Sequence, residues 1–131
     1  MKKFESFIRK MDFDYFGTGQ HKISFENFFA SENTIFLDVR ANEEVENIDI
    51  KLANYSTVLS IPTNEIPDRV GEIPEGKLIG VFCSSAVRSV IVFSYLKSLG
   101  FSQVKILQGY DELMSELKPG KLYKHFLNKN I

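Results

Sequence analysis

Tryptophan is absent from this chain, and cysteine occurs only once, as Cys83. A single cysteine cannot form an internal disulfide and suits a reducing compartment, so a cytoplasmic location is expected. The two histidines, His21 and His125, lie far from each other and from Cys83 in sequence, and both are expected at the surface. Because no cluster with metal-ligand spacing is present in the sequence, we expect no metal site and no cofactor.

Excess charge and long apolar runs are also missing. The formal net charge is −1, which gives no basic footprint for nucleic acid. No apolar run approaches the length of a membrane span, and the N-terminal residues lack the apolar core of a secretory signal. With 131 residues, 44% of them hydrophobic and 25% charged, the composition is that of one soluble globular domain with a core of ordinary size.

The most informative stretch lies on both sides of the single cysteine. An apolar run over 78–82 ends at Cys83, small and hydroxyl residues follow, and a helical pattern over 90–99 is closed by Gly100. The pattern predicts a strand, a tight loop and a helix. Loop amides with no helical partner can converge on one point, so we expect a stabilised thiolate and a depressed pKa at Cys83.

Each of these residues also has a plainer interpretation. Cys83 alone would be a small buried hydrophobe, and Arg88 alone a solvated helix residue. Arg88 either binds an anionic substrate or pairs with a carboxylate and braces the loop. The hydroxyls of Ser84 and Ser85 either donate to a bound anion or merely suit a tight turn. It is the spacing of the whole group that favours a catalytic loop.

Strand and helix patterns alternate along the chain. Strands are predicted at 34–39, 57–61, 77–82 and 103–107, and helices at 25–30, 41–45, 63–70, 90–99, 110–117 and 122–127. A short strand is also expected at 21–23, and Pro119 is expected to end a helix. The alternation predicts an α/β fold with a parallel central sheet and helices on both faces. Asp38 and Cys83 fall at carboxyl ends of strands, where ligands bind in such sheets, so we expect them to converge.

The spacing Cys83-x-x-x-x-Arg88-Ser89 resembles the active-site loop of the rhodanese-like sulfurtransferases. Further segments agree with that family in order and spacing: Asp38-Val39-Arg40, Glu43-Glu44-Val45, Ser60-Ile61-Pro62, Leu99-Gly100-Phe101 and Leu107-Gln108-Gly109. The resemblance covers about 23–117. It implies a single rhodanese-like domain over 21–131, preceded by an N-terminal helical arm over 1–20. The apolar stripe of that arm is expected to pack on the domain, with a lid or a dimer contact as the alternative.

The resemblance also implies an activity. A sulfane sulfur would move from thiosulfate or a persulfide donor to a thiol or cyanide acceptor, held meanwhile as a persulfide on Cys83. The implied substrate-binding residues form the loop: Ser84, Ser85, Ala86, Val87, Arg88 and Ser89. Asp38 and Arg40 are expected to support it, Asp38 by accepting hydrogen bonds from the loop or as a plain strand-end cap, and Arg40 through an ion pair with Glu44. The expected partners are a small anionic sulfur donor, a thiol acceptor or a protein sulfur acceptor, with no nucleic acid and no membrane.

Three features of the sequence depart from the family's pattern. Ala86 stands where the family often has glycine, and its Cβ restricts the loop if the backbone needs a positive φ. Residues 47–57 replace a Gly-His-Ile stretch with unrelated residues. Tyr110 follows Gly109, where the family has a second glycine. The departures bear on substrate choice and loop geometry.

Two other functions stay open from the sequence. A cysteine phosphatase also places a cysteine, loop amides and an arginine around an anion, but with five residues between the two side chains, whereas four separate Cys83 from Arg88 here. The residue before the cysteine is Phe82 and not the histidine common in tyrosine phosphatases. A regulatory domain that keeps the fold without turnover is the other alternative.

Overall fold

The computed structural model of the chain describes residues 2–53 and 55–129; Met1 of the predicted arm and Asn54, in the stretch that departs from the family, lie outside them. The centre is a four-stranded, all-parallel sheet in the order β2-β1-β3-β4. The strands are β1 (Thr34–Asp38), β2 (Thr57–Ser60), β3 (Leu78–Phe82) and β4 (Val104–Ile106). The predicted α/β fold with a parallel sheet is confirmed.

Eight α-helices are formed by the described residues. They are α1 (Lys2–Arg9), α2 (Phe13–Gly17), α3 (Phe25–Ala30), α4 (Asn42–Asn47), α5 (Ile66–Arg69), α6 (Val87–Ser98), α7 (Tyr110–Glu116) and α8 (Pro119–Lys129). Short 3₁₀ turns at Thr63–Glu65 and Val70–Glu72 flank α5. Within 2–53 and 55–129, none of these helices combines the length and apolar character that crossing a bilayer requires.

Alternate residues of the central strands supply two separate cores. Leu37 of β1 and Val81 of β3 face one side of the sheet, where Phe93 of α6 packs edge-on against Phe7 of α1. The other face is aromatic and is covered by α3 and α7. Its members include Phe25, Phe28, Phe29, Phe36, Phe82, Leu107 and Leu113. Helices therefore cover both faces of the sheet, as predicted.

Several element boundaries differ from the sequence prediction. The helix at 25–30 is confirmed, and the Ser24 hydroxyl caps it by accepting from the Asn27 amide at 3.1 Å. The expected strand at 21–23 is only a single bridge between Lys22 and Ile106, and α2 was not predicted. Pro119 opens α8, because proline lacks an N–H and is favoured at the first helical position.

Candidate active site

The candidate site lies at the carboxyl edge of the sheet, where β1 and β3 end side by side. Asp38, the last residue of β1, is in register with Phe82, the last residue of β3. The pairing continues one residue further, because the Val39 amide donates to the Phe82 carbonyl at 2.9 Å. Cys83 follows directly and is fully buried. The sheet therefore brings Asp38 and Cys83 to the same edge, as the strand ends predicted.

The Cys83 thiol is surrounded by hydrogen-bond donors of its own loop. Burial by itself raises the pKa of Cys83, because a thiolate is poorly solvated in an apolar interior. The Ser89 hydroxyl and the amides of Ser89, Ser85 and Arg88 act in the opposite direction and outweigh burial, so the pKa is lowered. The Ser89 hydroxyl is itself fully buried and makes no regular hydrogen bond to another described group. Its proton is available to the sulfur when negative charge develops there.

Ala86 gives the loop its shape. Its φ of 70° and ψ of −16° lie in the left-handed region, which favours glycine. Because α6 begins at the next residue, Val87, this bend directs the first amides of the helix back toward Cys83. An alanine in this conformation costs about 1 kcal/mol relative to an unstrained backbone. The side chain of Val87 is 64% exposed.

Arg88 is held by a carboxylate from another helix. Its guanidinium makes two hydrogen bonds to Glu44 of α4, one of them from Nη2 to Oε2 at 3.0 Å, and Nη2 also donates to the Ser84 hydroxyl at 3.0 Å. The hydrogen bonds from Arg88 lower the pKa of Glu44 to about 2, so this carboxylate is ionised at neutral pH. Glu44 in turn raises the pKa of Arg88, which also faces the Cys83 sulfur. Of the two roles considered for Arg88, the contacts are those of a loop brace.

Asp38 and Arg40 form a second, fully buried ion pair beside the loop. Arg40 Nε and Nη2 donate to the two oxygens of Asp38 at 2.9 and 2.7 Å, and Nη1 donates to the Tyr110 hydroxyl at 2.9 Å. The guanidinium lies close to the rings of Phe82 and Tyr110, 5.8 and 5.7 Å from their centroids. Burial lowers the pKa of Arg40, but the hydrogen bonds to Asp38 and Tyr110 more than compensate, and the pKa is raised. The predicted Arg40–Glu44 pair is wrong: alternate residues of an extended chain share one side, so Arg40 folds back on Asp38 and leaves Glu44 to Arg88.

A cleft of about 500 Å³ borders the outer side of the loop. Ser84, Ser85 and Ala86 line one wall, and residues 108–112 line the other. The two walls touch at Gly109, where a Cβ would lie 2.5 Å from the Ser84 carbonyl oxygen. Glycine is therefore required at this position for the loop to pack as it does.

The histidines take no part in the site. Both His21 and His125 are half-buried, so the expectation that they lie at the surface is wrong. The ring of His125 stacks on Tyr55, with centroids 3.7 Å apart, and His21 lies against Phe16. In the part of the chain that the structure describes, no group of three or more histidine, cysteine, aspartate or glutamate side chains is placed to hold a metal ion.

Two contacts that define the site could not be assigned from the sequence. The sequence prediction pairs Glu44 with Arg40, because nothing in the sequence indicates that Arg88, 44 residues further on, lies beside Glu44 in the fold. Tyr110 was noted only as a departure from glycine, because no local pattern indicates that its hydroxyl reaches Arg40, 70 residues earlier in the chain.

The chain resembles known sulfur-handling proteins over part of their length. No family model matches it. It is 31% identical over 75 residues to a tRNA sulfurtransferase of Actinobacillus succinogenes, a match that covers 57% of this chain and 15% of that protein. A comparable match to the tRNA sulfurtransferase of Sodalis glossinidius is 32% identical over 72 residues and covers 55% of this chain and 15% of the relative. The chain thus spans about 15% of the length of these relatives.

Among solved structures, the NAD-dependent persulfide reductase of A. fulgidus is similar with a TM-score of 0.57 and 30% identity, over 76% of this chain and 16% of that one. A rhodanese-related protein of Thermoplasma volcanium has a TM-score of 0.61 and 22% identity, over 76% of this chain and 95% of that one. The chain shares with this rhodanese-related protein an α/β fold, here built around a four-stranded parallel sheet. The resemblance to the rhodanese-like proteins predicted from the sequence is confirmed, and this chain has their fold.

Proposed function

We propose that the protein is a sulfurtransferase that moves a sulfane sulfur from thiosulfate or a persulfide donor to a thiol or cyanide acceptor, through a persulfide on Cys83. The observation that carries this proposal is the environment of the thiol. Cys83 is buried at a strand end, with three loop amides and the Ser89 hydroxyl directed at it and a lowered pKa. The names of the similar proteins, which include sulfurtransferases and a persulfide reductase, support the same chemistry.

The proposed transfer has two steps. In the first, the Cys83 thiolate attacks the outer sulfur of the donor; a new S–S bond forms, the donor's S–S bond breaks, and its electron pair leaves with sulfite or a thiolate. In the second, the acceptor attacks the outer sulfur of the persulfide, and the S–S bond to Cys83 breaks and regenerates the thiolate. A lowered pKa favours the thiolate of Cys83, and a nucleophile that is already a thiolate needs no general base in the first step.

The loop amides have a second role after the first step. The outer sulfur of a persulfide carries negative charge, and fixed N–H donors stabilise that charge without transferring a proton. Preorganised donors of this kind are typically worth about 2 to 4 kcal/mol each in enzyme sites. In this proposal Ser85, Arg88 and Ser89 supply the donors, and Ala86 supplies the bend that directs them.

Arg88 and the pair of Asp38 and Arg40 act as positioning residues in this proposal. The Arg88 guanidinium ties the loop to α4 through Glu44 and lies near the sulfur. The Asp38–Arg40 pair holds Tyr110, which forms part of the wall opposite the loop. Val87 is the first residue of α6, and its side chain is directed to solvent. In this proposal it therefore acts through its backbone alone.

The test is a comparison of two reactions on one preparation. The proposal expects thiocyanate to form from cyanide and a sulfane donor, and expects no hydrolysis of a small aryl phosphate. Phosphate hydrolysis without thiocyanate would instead support the phosphatase alternative, whose loop is one residue longer. If neither reaction occurs, the result would support a regulatory domain that keeps the fold without turnover. The Cys83→Ser variant is the control for both, because it keeps the shape of the side chain and removes the thiolate.

The cellular partners in this proposal are a sulfur donor and a thiol acceptor. The acceptor thiol is carried by a small molecule or by a protein. The relatives' names specify tRNA, but the matched segment is a small part of those proteins, and the net charge of −1 does not favour an RNA surface on this chain. The single thiol fits a reducing cytoplasm, which we propose as the location.

A further inference from the structure

The charged side chains around the loop and the cleft bear on which sulfur donors the site can accept. Of the described residues that form the loop or line the cleft, Arg88 alone carries a positive charge. Both of its terminal nitrogens already donate to Glu44, and Nη2 donates to Ser84 as well. Glu44 cancels the charge of Arg88, because the carboxylate is ionised at neutral pH. An incoming anion therefore meets no uncommitted positive charge among these described residues of the loop and the cleft.

The opposite wall of the cleft is acidic. Asp111 and Glu112 both line it, in the first turn of α7. Asp111 is exposed, whereas Glu112 is fixed by accepting a hydrogen bond from the Phe25 amide at 3.2 Å. With the Arg88–Glu44 pair neutral, the formal charges that remain along the cleft are those of these two carboxylates, and both are negative.

The negative charge along the cleft repels a sulfur donor that is a dianion. The field of surface charges is screened over about 8 to 10 Å at physiological salt, a length comparable to a small cleft, so the carboxylates act on a donor inside it. Thiosulfate brings two negative charges into this field, whereas an alkyl persulfide reacts as the uncharged R–S–SH. Each additional negative charge on the donor slows the attack by the thiolate.

We infer that the donor is a persulfide on a carrier that brings no negative charge of its own into the cleft, and that thiosulfate is a poor donor. The inference rests on the proposed sulfur transfer and names its donor class. The Cys83 thiolate attacks the outer sulfur of R–S–SH, the S–S bond of the donor breaks, and the leaving RS⁻ takes up the proton of that outer sulfur. The products are the Cys83 persulfide and RSH, with no net oxidation or reduction.

The test uses three stable donors that present the same sulfonyl-bound sulfur but differ in charge. They are thiosulfate with two negative charges, methanethiosulfonate with one, and aminoethanethiosulfonate with a net charge of zero. The rate of persulfide formation on Cys83 is followed by intact mass. It is divided by the rate of the same donor with a small free thiol, which removes differences in intrinsic reactivity. We expect the normalised rate to rise about threefold for each negative charge removed from the donor.

The double variant Asp111→Asn/Glu112→Gln should flatten this dependence on donor charge, and glutamine retains an acceptor for the Phe25 amide. The matched control Asp14→Asn/Glu75→Gln removes two exposed carboxylates outside the cleft lining and should leave the dependence unchanged. The single variant Asp111→Asn should give part of the effect if the double variant folds poorly.

The outcomes separate the inference from the proposed function. Equal normalised rates for the three donors, or the fastest rate with thiosulfate, would overturn the inference and leave sulfur transfer standing. The same holds if the cleft variant and its control behave alike. A protein that gains sulfur from none of the three donors would overturn both.

Discussion

The carboxylate of Glu44 and the guanidinium of Arg88 lie 44 residues apart in sequence and meet through two hydrogen bonds beside the buried thiol. The contact joins α4, which follows β1, to the first turn of α6, which follows β3. The position of the loop amides therefore depends on a helix that contributes no residue to the loop. Removing this contact should affect the chemistry of Cys83 and the acid stability of the fold together.

The acid stability of the protein should depend on Glu44. Its pKa is lowered to about 2 in the folded chain, below the ordinary value of 4.5. A depressed carboxyl pKa contributes stability that is complete above the unfolded pKa and is lost as the pH falls toward the folded one. Between about pH 4.5 and 2, the wild type should therefore lose about 1 to 2 kcal/mol more unfolding free energy than Glu44→Gln, after allowance for solvent screening. Urea unfolding at a series of pH values measures this, and parallel curves for the two proteins would contradict it.

Ala86 is a position where substitution should stabilise the fold. Its φ of 70° is strained for alanine and free for glycine. Part of the gain is offset by the greater freedom of glycine in the unfolded chain, so Ala86→Gly should raise the unfolding free energy by about 0.5 kcal/mol. The control is Ala30→Gly at an exposed position of α3, which should lower it by about 0.5 to 1 kcal/mol. Denaturant unfolding that finds losses of the same size at both sites would show that Ala86 is not strained.

Gly109 should be intolerant of any side chain. A Cβ there would come within 2.5 Å of the Ser84 carbonyl, so Gly109→Ala must displace the loop backbone. Since the donors must stay within hydrogen-bond distance of one sulfur, we expect at least a tenfold loss in the rate of Cys83 persulfide formation. Gly71→Ala adds the same methyl group at a site with no atom within 4 Å and should keep the wild-type rate. An unchanged rate in Gly109→Ala would show that the packing of the loop against this wall does not matter.

The hydroxyl of Tyr110 should contribute to stability through Arg40. Tyr110→Phe keeps the ring beside the guanidinium but leaves one N–H of a fully buried cation without its acceptor. An unsatisfied buried donor costs about 1 to 3 kcal/mol, and we expect a loss near the lower end, because the rest of the guanidinium stays paired with Asp38. Tyr123→Phe at a 66% exposed position is the control and should be neutral. Equal unfolding free energies for both variants would show that the Tyr110 hydroxyl contributes no stability through Arg40.

Features encoded by neighbouring residues could be predicted from the sequence, whereas contacts between residues far apart in the chain could not. Thr34–Asp38 and Leu78–Phe82 could be assigned as buried strands because local apolar runs encode them, and the strand ends then located Asp38 and Cys83. The left-handed bend at Ala86 could be stated only as a condition, since alanine carries no signal for positive φ. The partner of Arg88 could not be chosen, because three glutamates of α4 and Asp38 of β1 precede it and only the packed fold selects Glu44.

The proposed sulfur transfer requires Cys83 to act as a thiolate nucleophile that accepts one sulfane sulfur. The most direct measurement follows intact mass while wild type and Cys83→Ser are incubated with a sulfane donor across a range of pH. We expect a gain of one sulfur atom on the wild type, its loss on addition of a thiol acceptor, and a rate whose pH midpoint lies below the value of about 8.5 for an ordinary cysteine. No gain in mass, a gain in Cys83→Ser, or a midpoint at or above that value would contradict it.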